Sequence, residues 1–330
     1  MDISVLVPTY HRPQDLLRCL KALTMQTKPP FEVLVVVRES DAETFAALAD
    51  FNSCSLPLKT LVVQEPGQVA ALNTGLSRAQ GEVIAITDDD AAPRPQWLER
   101  IDAHFSGDAT IGGVGGKDII HPQSLVAGDA PSAVVGQVQW FGRVIGRHHV
   151  GFGQPRPVSV LKGANMSYRQ AAVDGHRFDT RLRGHGAQMH NDMAFSLAIK
   201  RAGWQLIYDP LVEVDHYPAQ RFDEDQRDSF SYEACKNAVH NETLVLLDYL
   251  PWVQKVIFMV WALVVGTRDS FGLIQWLRFS LKGDGQASKQ LAAAWQGRLM
   301  GSQTWGRYRL PRFSRRSEAL GTGTDVPISD

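Results

Sequence analysis

The chain opens on a run of apolar residues, Ile3-Ser4-Val5-Leu6-Val7-Pro8, and the pattern returns over residues 31–37, 58–63 and 81–87. Between these runs the apolar positions take a helical period. Leu16, Leu17, Leu20 and Leu23 share one face of residues 14–23, and helical stretches follow over 42–50 and 69–79. Strands that are apolar throughout are buried on both faces, and their alternation with helices predicts an α/β fold with a mostly parallel sheet flanked by helices. The fourth run stops abruptly at three carboxylates, Asp88-Asp89-Asp90, followed by the turn residues Ala91-Ala92-Pro93. Ligands of open α/β sheets gather at the carboxyl ends of strands, and three adjacent acids repel one another unless a cation or a set of donors faces them. A solvated acidic turn is the plain alternative.

Beyond residue 110 the periodicity is less regular. Gly112-Gly113-Val114-Gly115-Gly116-Lys117 resembles a phosphate loop, but it is one residue short and carries Asp118 where Ser or Thr would be needed. It is read as a strand with close backbone approach. Residues 122–157, rich in Gly and Pro, suit a mobile flap over a binding site. After Pro218 come a densely charged run to Arg227, a helix over 230–250 ended by Pro251, and an apolar stretch over 252–266. That stretch is shorter than the roughly 20 residues a bilayer-spanning helix needs, which leaves a buried core helix or a helix lying in a membrane interface. From residue 317 the composition predicts disorder.

Composition adds three constraints. An apolar content of 44% with a mean hydropathy of -0.17 describes a globular chain. Cys19, Cys54 and Cys235 have no metal-ligand spacing, so reduced thiols and no structural zinc are expected. The N-terminus lacks the basic and apolar regions of a cleaved signal peptide, which points to the cytoplasm. The net charge of -1 conceals an asymmetry. Residues 251–330 hold 11 Lys and Arg against 5 Asp and Glu, whereas residues 1–250 hold 23 against 30, and five of the eight tryptophans lie in the basic part. Trp mixed with Lys and Arg is the make-up of a segment seated on an anionic membrane surface.

The turn after the first strand, Pro8-Thr9-Tyr10-His11, has no glycine, so a dinucleotide fingerprint is absent. Taken together, Ser4–Tyr10, Gly67–Leu76, Gly81–Asp90, Leu161–Ser167 and Asn191-Asp192 followed by Arg201–Trp204 resemble the inverting family 2 glycosyltransferases of bacterial type, which have the GT-A fold. The likeness runs from about residue 3 to 217. It implies a GT-A catalytic domain over 1–220, with a donor-binding half over about 1–117 and an acceptor half over about 118–220. A helical, basic, Trp-rich appendage over 221–316 that associates with membrane or oligomerises would follow, then a disordered tail over 317–330.

The resemblance also implies roles. Asp88 and Asp90 match the family's DxD motif, with Asp88 near the ribose and both on a Mn²⁺ or Mg²⁺ ion that bridges the diphosphate, and Asp89 between them is taken with the donor-binding residues. Pro8, Thr9 and Tyr10 match the loop beside the base, Asn73 in a matching helix is taken as a donor-binding residue, and Gly163 and Asn165 match the loop beside the transferred sugar. Asp192 matches the catalytic base, although Asn191 replaces the family's Glu. By residue type alone Asn191 could equally be an N-cap and Asp192 an acid favoured in a first helical turn. The nucleobase aspartate usual after the second strand is missing, and Glu39 or Asp41 is left to replace it. Arg38 reads as a surface residue. His216 is a candidate metal ligand or a packed histidine, and His148, His149 and residues 185–190 are expected on the acceptor side. The implied partners are a nucleotide-diphosphate sugar, a glycan or lipid-linked acceptor and an anionic membrane surface, with no nucleic acid. The readings of a different class are a sugar nucleotidyltransferase and a non-catalytic binding module.

Overall fold

The computed structural model describes residues 1–51, 56–222 and 229–308. Its strands are β1 (Ile3–Thr9), β2 (Glu32–Arg38), β3 (Leu58–Val63), β4 (Val83–Ile86), β5 (Ala91–Pro93), β6 (Ile111–Ile120), β7 (Gln137–Val138), β8 (Val144–Ile145), β9 (Arg156–Pro157), β10 (Met166–Arg169) and β11 (Gln205–His216). Its helices are α1 (Pro13–Thr24), α2 (Ala42–Asp50), α3 (Gln68–Leu76), α4 (Trp97–Gly107), α5 (Gln170–Val173), α6 (Asn191–Arg201), α7 (Tyr232–Tyr249), α8 (Trp252–Val264), α9 (Leu273–Ser280) and α10 (Ala287–Arg307).

Nine strands form one sheet in the order β3-β2-β1-β4-β10-β6-β11-β5, with β9 paired to β11. The first half is parallel, as the apolar runs predict. The second half is not: β10 enters antiparallel between β4 and β6, and β11 pairs antiparallel with β5. The sheet is therefore mixed, because β10 and β5 follow loops and not crossover helices. The Gly112–Lys117 run is a strand, as expected, lying inside β6.

Two cores sandwich the sheet. Side chains alternate along β1, so Leu6 packs with α3, α6, α7 and α8 on one face while Val5 and Val7 pack with α1 and α4 on the other. Leu244–Leu246 of α7 and Phe258 and Ala262 of α8 belong to the first core, so packing runs continuously past residue 220 into the C-terminal helices. In α10, Gly297 and Gly301 let the helix lie directly against the backbone of α7 at Lys236 and His240.

The segment over 122–157 differs from the expected flap. It carries the hairpin β7–β8, and Phe141 packs edge-on against Trp261 of α8 while Gly142 abuts Phe258. Its apolar residues thus anchor it to the C-terminal helices. His148 is buried with Nε2 on the Val160 carbonyl, and His149 pairs with Asp129, so neither faces an open acceptor site. The 252–266 stretch is a core helix on one side only: α8 buries Phe258 and Ala262 fully but leaves Val253, Val256 and Val260 exposed. Among the described residues no helix is long and apolar enough to cross a membrane. Most of the charged run 221–227, the basic run beyond Tyr308, the 317–330 tail and Cys54 lie outside the described residues.

Within the helical region, Arg298 is buried and donates to Thr243 Oγ1 at 3.0 Å and Ser270 Oγ at 2.7 Å, with Glu242 Oε2 at 2.8 Å. Burial pushes the Glu242 carboxyl up, but Arg298 more than offsets this and its pKa lies below the usual value. Arg298→Ala strands a buried carboxylate and is expected to lower stability by about 3–5 kcal/mol, measured by urea unfolding. The folded pKa is depressed, so the pair's contribution is present above the unfolded Glu pKa and is lost as pH falls through the folded value. The gap between Arg298→Ala and the parent should therefore narrow in acid.

Candidate active site

The parallel register of β1 and β4 builds the centre of the site. Leu6 lies opposite Ile86, so the residues that follow place Asp88–Asp90 alongside Thr9–Arg12. The backbone then sorts the three acids. Asp88 and Asp90 line the cleft together with Pro8, Thr9, Tyr10, Arg12 and Arg38, whereas Asp89 points inward and is fully buried. Asp89 Oδ1 lies 2.8 Å from Arg12 Nη2, and burial still pushes its carboxyl up to about 7. Asp89, expected among the donor-binding residues, does not line the cleft and instead meets Arg12.

Asp90 is the hub. Its Oδ2 accepts from Arg12 Nη1 at 3.2 Å and from the Ala219 N–H at 3.1 Å, and its Oδ1 lies 3.3 Å from His216 Nε2. His216 reaches it because β11 pairs with β5 in a register that sets His216 opposite Ala91. On its other side His216 Nδ1 lies 3.6 Å from Asp118 Oδ2, and Asp118 pairs with Lys162. A row of alternating charge thus runs from Arg12 through Asp90, His216 and Asp118 to Lys162, beside the Gly163–Asn165 loop. Burial would lower the His216 pKa, but Asp118 and Asp90 raise it to about 9. Burial would likewise raise Asp90 and Asp118, yet His216 and Arg12 hold the first well below the usual carboxylate range, and Lys162 and His216 hold the second there.

This arrangement can be tested against a divalent cation. Among the described residues no three His, Cys, Asp or Glu side chains form a metal cage. Two carboxylates on one strand end, facing an open cleft, instead suit a Mg²⁺ or Mn²⁺ ion that takes its remaining ligands from substrate phosphates and water. Asp88 and Asp90 fit that mode directly. His216 stands behind Asp90 and is wedged between two carboxylates.

The cleft wall above the acids is aromatic and cationic. The Arg38 guanidinium lies 5.1 Å from the Tyr10 ring centroid, Tyr10 packs on His11, and His11 meets Phe222 edge-on. Arg38 is therefore part of the cleft, not the surface residue its position at a strand end suggests. Glu39 turns away into a neighbouring groove with Gln64. Asp41 caps α2, accepting from Thr44 N at 3.1 Å and Thr44 Oγ1 at 2.7 Å, and also accepts from His11 N at 2.6 Å. It fixes the loop from behind and does not reach the cleft.

Asp192 lies in the first turn of α6, half-buried. Its Oδ2 accepts from Gly163 N at 3.1 Å and its Oδ1 from Met193 N at 2.7 Å. The N-cap position belongs to His190, at φ 71°, and not to Asn191. Asn191 uses its amide to hold the carbonyls of Ala187 and Gln188 and the side chain of Gln68, whose own amide donates to Asp88 Oδ1 at 3.2 Å. An amide chain, Asn191 to Gln68 to Asp88, therefore ties the start of α6 to the DxD strand. Gly67, at φ 107°, admits Gln188, whose Oε1 caps Val69 N.

Two other residues named from sequence are committed elsewhere. Asn73 clamps the backbone of Phe178 through both ends of its amide. Asn165 is buried, accepting from Trp97 Nε1 and donating to the carbonyls of Lys117 and Val212. Gly163 contacts Asp192 through its N–H. Arg12, Gln68 and Asp118 carry the site's charge and connectivity, yet sequence analysis assigned them no role. The available signal for Arg12 was a basic residue in the loop of the strand parallel to the acidic one.

Comparison with known proteins agrees with this geometry. Residues 4–121 match the profile of Glycosyl transferase family 2. The glycosyltransferase AglE of Haloferax volcanii is 37% identical over 116 residues, which are 34% of this chain and 36% of AglE. The glucosyl-dolichyl phosphate glucuronosyltransferase of the same organism is 24% identical over 223 residues, 66% of this chain and 69% of that protein. The chain thus spans about a third of the first relative's length. The mannosyltransferase PcManGT of Pyrobaculum calidifontis, solved with GDP-Man and Mn²⁺, shares the fold at a TM-score of 0.54 with 19% identity, over 93% of this chain and 88% of that one. The mixed sheet is that of the GT-A fold, and the segment Ser4–His121 is similar to Glycosyl transferase family 2.

Proposed function

We propose that the protein is an inverting glycosyltransferase that moves a sugar from a nucleotide-diphosphate sugar to a glycan or lipid-linked acceptor, in cell-envelope or exopolysaccharide synthesis at the cytoplasmic face of the inner membrane. The observation that carries this reading is the tie between the two halves of the chemistry. Asp88 and Asp90 face the cleft between Tyr10 and Arg38, and the same Asp88 is linked through Gln68 and Asn191 to the turn that presents Asp192.

In this reading the base lies along Tyr10 and Arg38 and the diphosphate against Asp88 and Asp90. Asp192 takes the proton of the acceptor hydroxyl as that oxygen bonds to the anomeric carbon, while the bond from that carbon to the phosphate oxygen breaks and its electrons leave with the nucleoside diphosphate. The N–H of Gly163 holds the Asp192 carboxylate in place. A cation held by Asp88 and Asp90, with His216 behind them, would neutralise the charge that grows on the leaving diphosphate. The presence of Mn²⁺ in the Pyrobaculum structure supports this, and the lipid-linked substrate in the name of the Haloferax relative supports the acceptor class.

The test is a panel of nucleotide sugars scored by thermal shift with Mn²⁺, with Mg²⁺ and with chelator. One nucleotide sugar should raise the melting temperature only when a divalent cation is present. Stabilisation that chelation leaves untouched would remove the cation from this reading.

A further inference from the structure

A second cavity adjoins the cleft on the side of α6. It lies between the 183–189 loop, the start of α7 and the turn joining α8 to α9, and it shares Ala187 and Arg221 with the cleft. Among its described lining residues are three arginines, Arg183, Arg221 and Arg268, against one acid, Asp269. Arg183 and Arg268 are exposed and make no ion pair among the described residues. The loop that forms its wall runs directly into Asp192, since Asn191 holds the Ala187 and Gln188 carbonyls. A group bound in this cavity therefore lies against the loop that leads to the residue read as the base.

The turn that carries Arg268 is also the end of an apolar surface. On α8, Val253, Val256, Val260 and Val264 recur on one exposed side, with Trp252 70% exposed at its start. On α9, Leu273, Ile274 and Leu277 are exposed, Leu281 beyond it is 80% exposed, and no residue of the helix is fully buried. Val264 and Leu273 lie within five residues of Arg268 on either side. An exposed apolar patch rimmed by polar residues marks a lipid or partner site. The exposed Arg278 and Lys282 on and just beyond α9 favour an anionic one.

We propose that this cavity is the acceptor subsite and that it takes the phosphate of a membrane lipid, with Arg183 and Arg268 on the phosphate and the lipid chain running over Val264, Leu273 and Leu277. The inference rests on the glycosyltransferase reading for its meaning, but lipid binding can be measured without turnover. Guanidinium groups suit a phosphate because they donate two aligned, charge-assisted hydrogen bonds. The apolar helices supply what a soluble sugar phosphate would not use.

The probes are farnesyl phosphate below its micellar concentration, farnesol and inorganic phosphate, titrated calorimetrically into the full chain. Farnesyl phosphate is expected to bind at least tenfold more tightly than either of the others. Arg183→Gln and Arg268→Gln should each weaken it by about tenfold, the loss expected for one charged hydrogen-bond partner, with nucleotide-sugar affinity unchanged. Leu277→Ser, on the exposed side of α9, should weaken farnesyl phosphate and leave inorganic phosphate alone. Equal binding of farnesol would overturn the role of the arginines, and equal binding of inorganic phosphate would overturn the lipid. Unchanged farnesyl phosphate affinity in both arginine variants would overturn the site. A parent chain that binds farnesyl phosphate but no nucleotide sugar counts against the transferase reading alone.

Discussion

Asp90→Asn is expected to lower sugar transfer by about 10²–10³-fold, with most of the loss appearing as weaker donor binding in the presence of Mn²⁺ or Mg²⁺. Asn keeps the size of the side chain and can still accept from the Ala219 N–H, so the loop after β11 should stay in place. What disappears is the negative charge that faces Arg12, His216 and the cleft. Arg12 retains Asp89 and His216 retains Asp118, which argues that the fold survives and the donor site does not. Circular dichroism checks the first part, and isothermal titration of the nucleotide sugar checks the second. Parent-like donor affinity in a folded Asp90→Asn protein would leave the acidic turn as a purely structural knot of ion pairs.

Asp192→Asn separates chemistry from binding. The amide oxygen can still accept from one of the two N–H groups that hold this side chain, Gly163 or Met193, so the start of α6 is preserved. A carboxamide cannot take a proton from a hydroxyl, and turnover is expected to fall by about 10²–10⁴-fold with donor affinity within a factor of two. The split matters, because Asp192 also sits where a first-turn acid stabilises a helix for purely structural reasons. A cap would show its loss in the unfolding midpoint and leave turnover nearly intact. A base would show the reverse.

The N-terminal part of the sheet was legible because β1, β2 and β4 are buried on both faces and read as largely apolar runs. β1 to β4 fall within the runs at residues 3–8, 31–37, 58–63 and 81–87, to within one or two residues at their ends. The C-terminal helices were less so. In α10 the residues turned inward are Ala287, Ala293, Ala294, Gly297 and Gly301 with the one charged Arg298, and such a set carries little hydrophobic signal although its small members permit close packing on α7. β10 and β11 could not be oriented from sequence, since their partners β4 and β6 lie some 80 to 95 residues earlier. In the proposed site, motif spacing singled out Asp88, Asp90 and the Pro8–Tyr10 loop, all of which line the cleft. It could not tell whether an amide faces the cleft or clamps a distant backbone, and so Asn73 and Asn165 were read as ligands although they hold Phe178 and Val212. Arg12 was passed over for the mirror reason. Its partners are 77 and 78 residues away, and only the parallel register of β1 and β4 makes them neighbours.

The most direct measurement is phosphorus NMR of the full chain with Mg²⁺ and the nucleotide sugar that the thermal panel selects, followed in the presence and absence of a lipid-phosphate acceptor and repeated with Asp90→Asn. The account expects the diphosphate resonances of the nucleotide sugar to convert to those of free nucleoside diphosphate, faster with acceptor and nearly undetectably in the variant. It is contradicted if no nucleoside diphosphate forms, or if the protein instead joins a nucleoside triphosphate to a sugar phosphate and releases pyrophosphate.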